Sequence, residues 1–228
     1  MRCHQLIAFG APLAETAGVG PAPVGTEVIV RIAASGVCHS DLHICEGHHD
    51  LGGGRKLSFE GRIPLPLTLG HEIAGHVAAL GPDAEVVAEG DGVLVYPWIG
   101  CGACEPCQEG NEHLCRAPRF LGANRDGGYA DCVVVPHARY LIRLDGLDPR
   151  RAAPLACSGL TTYSALKKLD ANVKLQRRPV VVIGAGGLGL MAIDMVGKLG
   201  GAGAVVVEID ARKREAAMAQ GAVAAVDP

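Results

Sequence analysis

The chain has 228 residues, enough for one large domain or two modest ones, and with 49% hydrophobic residues and a mean hydropathy of +0.24 it can bury a sizeable core. A formal charge of −3 speaks against an extended nucleic-acid footprint, and no apolar run is as long as a membrane span requires. The N-terminus, MRCHQLIAFGAPLAE, lacks the apolar stretch and cleavage site of a secretory leader, so the nine cysteines read as metal ligands and free thiols in a reducing, cytoplasmic setting, not as a disulfide framework.

In chain order, residues 1 to about 150 read as β-rich. Val28–Ile32, Ala74–Leu80, Gly92–Tyr96, Tyr129–Val135 and Arg139–Leu144 are short apolar runs punctuated by Gly and Pro, with no long helical period between them. A compact barrel or sandwich is expected over 1–152. The texture changes near Pro154. Ser158–Leu169 reads as a helix with Leu160, Tyr163, Leu166 and Leu169 on one side. Pro179–Ile183 and Ala204–Glu208 read as buried strands, with helices over 190–199 and 211–220 and a third strand from Val223 to Val226. Residues 153–228 are therefore predicted to form β-α-β-α-β, the first half of a doubly wound sheet.

Three sets of residues carry chemistry. The first is Cys101, Cys104, Cys107 and Cys115, a CxxCxxCx7C run. Four soft thiolates in so short a segment can close a tetrahedron around one zinc ion, and such a closed site is structural. It is expected to pin a lobe over 98–116 that has little apolar content of its own. The second set is dispersed: Cys38-His39-Ser40-Asp41-Leu42-His43, then His71-Glu72, then Cys157. Each alone is weak, because a lone cysteine in an apolar chain is usually a small core residue and a lone histidine a satisfied one. Spacing alone leaves a shared metal among Cys38, His71 and Cys157 open.

The third set is Gly184-Ala185-Gly186-Gly187-Leu188-Gly189, a GxGxxG turn between strand and helix. Gly184 suits the tight turn, Gly186 a close approach of pyrophosphate, and Gly189 close helix packing. The helix N-terminus offers N–H groups to phosphates. Glu208, 24 residues after Gly184, ends the next strand, where a carboxylate bonds ribose hydroxyls and favours NAD over NADP. Lys213 is a further candidate beside the cofactor, whereas Arg212 and Arg214 read as a solvated helix face.

Together these segments resemble the zinc-dependent medium-chain alcohol dehydrogenases. Gly70-His71-Glu72-x2-Gly75-x5-Gly81-x2-Ala84, GVCHSDLH at 36–43, the four-cysteine run, APLACSGLTTY at 153–163 and VVVIGAGGLG follow in that family's order, and the similarity is greatest to its tetrameric bacterial and archaeal members. The resemblance implies a GroES-like catalytic domain over 1–152 and a Rossmann domain from 153. It implies two zinc ions, one catalytic on Cys38, His71 and Cys157 and one structural on Cys101, Cys104, Cys107 and Cys115, with NAD as cosubstrate. Ser40 would accept the substrate's proton and His43 pass it towards solvent. Asp41 would orient a ligand histidine and Glu72 stand beside the metal. Thr161 would meet nicotinamide and His39 the pyrophosphate, and Trp98, the only tryptophan, would wall the substrate pocket or serve as a core aromatic.

The implied reaction is hydride transfer between a small alcohol and NAD to give an aldehyde or ketone, without nucleic-acid or membrane partners. Polyol dehydrogenases of the same superfamily, which tend to use the acid after the histidine as a ligand, are the rival within the enzymes. A non-catalytic zinc-binding module is the rival outside them. The resemblance also implies that relatives of full length are homo-oligomers. Because the chain stops near the third Rossmann strand, it reads as a partial gene product with weak or no activity.

Overall fold

Hydrophobic burial divides the chain into two units, Met1–Ala156 and Cys157–Pro228, each with its own core. The sequence places this division at 152/153. The computed structural model describes residues 1–228, with side chains described for all but 170–173.

The first unit carries, in order, β1 (Arg2–Leu6), β2 (Ala14–Ala17), β3 (Val28–Gly36), α1 (His39–Glu46), β4 (His48–Asp50), β5 (Lys56–Ser58), β6 (Leu67–Thr68), β7 (Glu72–Leu80), β8 (Gly92–Val95), α2 (Glu105–Gln108), β9 (Cys132–Val135), β10 (Leu141–Arg143) and α3 (Pro149–Ala152). Its main sheet is antiparallel in the order β10-β8-β7-β3-β9, beside a β2-β1-β6 sheet and a β4-β5 hairpin. Val28, Val30, Ile73, Val93, Val95, Val133 and Val135 form its core. These β-branched side chains suit a pleated, half-buried surface and lose little rotamer freedom there. The expected β-rich character is what the structure shows.

The longest pairing, β3 with β7, runs from Val28↔Leu80 to Gly36↔Glu72, with register shifts between Ile29 and Val30 and between Ile32 and Ala34. This register positions the candidate site. Cys38 lies two residues past the end of β3, and His71 one residue before the start of β7. Gly36 permits the close approach, because a Cβ on it would lie 2.0 Å from Glu72 Oε2.

Several short elements were missed, β1, β2, β4, β5, β6 and α2 among them, and α1 is the one that bears on the site. The sequence offers no helix between 1 and 150, yet α1 follows Cys38 directly. It spans eight residues with its apolar positions poorly segregated, so its periodicity is faint. Its start is nonetheless marked chemically, since Asp41 Oδ2 accepts the Cys38 backbone N–H at 2.9 Å.

The second unit carries α4 (Ser158–Val173), β11 (Val180–Ile183), α5 (Gly187–Lys198), β12 (Ala204–Val207), α6 (Ala211–Ala219) and β13 (Ala224–Val226). Its strands are parallel in the order β11-β12-β13. On one face Val182, Val206 and Ala225 pack with Ile193 of α5 and Ala217 of α6. On the other, Val181 and Ile183 are 62% and 86% exposed, and they stand in register with Val205 and Val207. The strands expected to be buried are thus buried on one side only. Both α5 and α6 pack on that one face. Among the described residues of α4 the buried positions are Gly159, Thr162 and Leu166, while Tyr163 and Leu169 are exposed. The expected stripe spaced every three residues drifts off the buried face, because the helix repeats at 3.6.

Candidate metal centres and dinucleotide turn

Cys38, His71 and Glu72 each present one ligand-type atom, and these atoms all lie within 4.8 Å of one another. His71 and Glu72 are buried and Cys38 half-buried. The imidazole is held from one side. Asp41, 2% exposed, places Oδ1 at 3.2 Å from His71 Nδ1, and the same oxygen accepts the Gly70 backbone N–H at 3.2 Å. His71 Nε2 is buried without a hydrogen-bond partner among the described residues. A buried ring nitrogen left unsatisfied while its mate is fixed by a carboxylate is the arrangement a metal-binding histidine adopts.

The electrostatics of the pair follow from this contact. Burial alone would depress the His71 imidazolium, but the Asp41 hydrogen bond and the neighbouring Cys38 sulfur outweigh it and raise the group to about 10. Burial alone would raise Asp41, but His71, the Cys38 N–H and the Tyr129 hydroxyl hold it below the ordinary carboxylate value. A metal at Nε2 must therefore displace a proton.

The other expected residues lie around this group. Ser40 Oγ is 3.8 Å from Cys38 Sγ, on the first turn of α1. His43, one turn on, is half-buried; its ring centroid is 6.0 Å from that of the exposed His39 and 4.6 Å from that of His49. His49 thus continues the file of imidazoles. Trp98 lies 5.7 Å from the His71 ring and meets Phe120 edge-on at 5.2 Å, so it stands beside the donor group and is only half-buried.

The four cysteines form a second group, also within 4.8 Å of one another and without disulfides. Cys104 Sγ is 3.5 Å from Cys107 Sγ and 3.7 Å from Cys115 Sγ, and Cys101 Sγ is 4.0 Å from Cys107 Sγ. A zinc–sulfur bond of about 2.3 Å gives a tetrahedral edge of about 3.8 Å, so these separations fit one ion. Backbone N–H groups of Ala103 and Cys104 bring the Cys101 thiol down to about 6, whereas desolvation pushes Cys107 up to about 12. The first proton leaves easily and the last resists, as expected where several thiolates share one small space. Glu112 ties the lobe to the sheet: it accepts from Gly100 N at 2.9 Å, Tyr140 Oη at 2.7 Å and Arg139 at 2.8 Å.

In the second unit, Cys157 is the residue preceding α4 and Thr161 is exposed on its first turn. Gly184 opens the turn at φ 92°, and a Cβ on Gly189 would lie 2.0 Å from Gly184 O, so helix and strand meet backbone to backbone. Gly186 precedes α5, and a Cβ on Gly186 or Gly187 would meet nothing within 4 Å, which leaves the approach clear; Leu188 points outward. Glu208 Oε2 accepts Ala185 N at 2.8 Å and Oε1 accepts Asp210 N at 3.0 Å. Those two N–H groups, with smaller help from Lys213, hold its carboxyl below the ordinary range. Asp210 caps α6 through Arg212 N and Lys213 N. Sequence reasoning assigned no function to Tyr129, whose hydroxyl reaches Asp41 Oδ2 at 3.0 Å. Its position after two glycines was the only hint.

The alcohol dehydrogenase GroES-like domain family matches residues 25–146. An NAD-dependent alcohol dehydrogenase of Sulfurisphaera tokodaii is 43% identical over 97% of this chain and 62% of its own length. One from Saccharolobus solfataricus is 42% identical over the same shares. Among solved structures, the D-arabinose dehydrogenase from Sulfolobus solfataricus superposes with a TM-score of 0.84 at 31% identity, over 99% of this chain and 66% of that one. The alcohol dehydrogenase from Aeropyrum pernix superposes with a TM-score of 0.83 at 30% identity, over 100% and 64%. The chain thus spans about 62% of the length of the NAD-dependent relatives it matches.

Proposed function

Since the chain belongs to the alcohol dehydrogenase GroES-like family, we propose that it supplies the catalytic zinc site and the NAD-binding turn of an oxidoreductase that moves hydride between a small alcohol and NAD. Cys38, His71 and Cys157 would hold one zinc ion, and Cys101, Cys104, Cys107 and Cys115 a second, structural one. The observation that carries this reading is the buried, unpartnered His71 Nε2 with Asp41 fixing the other ring nitrogen. Bound zinc supplies Lewis acidity that lowers the pKa of a hydroxyl, as it lowers that of water to about 7.

The chain's own residues do the rest. Asp41 fixes the tautomer that leaves Nε2 free to ligate. Ser40, on the first turn of α1, accepts the alcohol's proton, and His43 passes it outward. Trp98 walls the substrate side. N–H groups at the start of α5 bind the pyrophosphate, Glu208 bonds a ribose hydroxyl and disfavours a 2′-phosphate, and Lys213, His39 and Thr161 contact the remainder of NAD.

A polyol substrate is the second reading. Glu72 stands within the same donor group, and the resemblance has polyol enzymes use the acid after the histidine as a ligand, although Cys157 within APLACSG points away from them.

Metal analysis tests the site. The parent should carry two zinc ions per chain, and Cys38→Ser or His71→Ala one, with the four-cysteine metal retained. An NAD-reduction screen over primary, secondary, aromatic and polyol substrates, run on a form of the relatives' length carrying the same substitutions, should show turnover lost in both variants. A Cys38→Ser protein that still held two zinc ions and the parent rate would sink the assignment.

A further inference from the structure

Four donors converge on the buried Asp41 carboxylate. Oδ1 takes Gly70 N and His71 Nδ1, each at 3.2 Å; Oδ2 takes Cys38 N at 2.9 Å and the Tyr129 hydroxyl at 3.0 Å. Three of these come from the segments that carry Cys38 and His71. The fourth comes from a residue far along the chain that is itself clamped: Tyr129 N donates to Leu69 O at 2.9 Å, and Tyr129 O accepts His4 N at 2.8 Å. Its ring presses on Gly70, where a Cβ would lie 2.6 Å from Tyr129 Cδ1. Burial and the adjacent Asp41 charge push the phenol well above its ordinary value, so it stays a donor at working pH.

We propose that Tyr129 is a positioning residue for the zinc site, locking the Asp41 carboxylate in the plane that aims His71 Nε2 at the metal. The proposal rests on the zinc reading given above. With Oδ2 bound by both Tyr129 and Cys38 N, the carboxylate cannot turn about its Cα-side bonds without losing a charge-assisted hydrogen bond. Deleting the phenol oxygen removes one of the two bonds on Oδ2 and frees that rotation. Outer partners of this kind typically alter metal affinity by about 10–100-fold.

The test is a zinc titration against a chromophoric chelator, with cobalt substitution as a spectroscopic check, on the parent, Tyr129→Phe, Asp41→Asn and the double variant. Tyr129→Phe should weaken the second equivalent of metal about tenfold, alter the cobalt bands of that site, and leave the four-cysteine equivalent unchanged. In the Asp41→Asn background the same change should have little further effect, whereas a purely structural role would persist there. Should Tyr129→Phe not fold, the near-isosteric pair 4-aminophenylalanine and 4-fluorophenylalanine at 129 separates donor from non-donor, and the donor should restore parent affinity. A Tyr129→Phe affinity within twofold of the parent, or an equal loss in both backgrounds, overturns the proposal alone. A parent that binds only the four-cysteine metal overturns it together with the reading beneath it.

Discussion

Asp41 joins the segments that carry Cys38 and His71 through one carboxylate, and the consequence for pH is specific. His71 is raised in the folded state, to about 10, so its contribution to stability is complete below its ordinary value near 6.5 and lost as pH rises through about 10. Asp41 is lowered, so its contribution is present above the ordinary carboxylate value near 3.9 and lost as pH falls through its depressed one. The metal-free chain should therefore be most stable between about 4 and 6.5 with respect to this pair. Chemical denaturation of chelator-treated protein at pH 6 and pH 9, compared with His71→Asn to subtract the titrating cysteines, checks this. Equal pH dependence in parent and variant would show that the pair contributes nothing.

At the scale of elements, what the sequence revealed depended on locality. The four-cysteine lobe and the glycine turn could be read because their chemistry lies within a few residues. The turn gives a direct prediction. In Gly189→Val the new Cβ, about 2.0 Å from Gly184 O, forces α5 away from β11. The second unit should lose on the order of 1–3 kcal/mol, as overpacking typically costs, and bind NAD more weakly. Calorimetry with and without NAD would show it, and an unshifted transition would mean that helix and strand separate freely there. The short α1 was not read as a helix, although Cys38 and Asp41 mark its start. Tyr129 was not legible because its role depends on pairing across the fold: Gly127, Gly128 and Tyr129 donate to Thr68, Gly70 and Leu69 carbonyls, which no spacing reveals.

For the whole molecule, each unit follows its sequence pattern except where coverage decides. Continuous valine runs read as strands buried on both sides, yet burial needs a partner layer as well as an apolar side chain. Among the described residues only one face of β11-β12-β13 has helices packed on it, so Val181 and Ile183 stand in solvent. A period-2 reading of the same run would have found the two faces, but nothing in the residues themselves says which is covered. The dispersed donors were legible as types and not as neighbours, because only the β3–β7 register brings the end of one strand to the start of the other.

That contrast sets an order of assembly. Cys101 to Cys115 form a loop short enough to close cheaply in a disordered polypeptide, whereas Cys38 and His71 meet only once a nine-residue strand pair has zipped. In concentrated urea the chain should retain the first equivalent of zinc and none of the second, and on dilution the second should arrive with the sheet. On the proposed zinc assignment, the lobe would load its ion before the sheet exists, and the Cys38–His71 group would be the last part of the protein to acquire a metal.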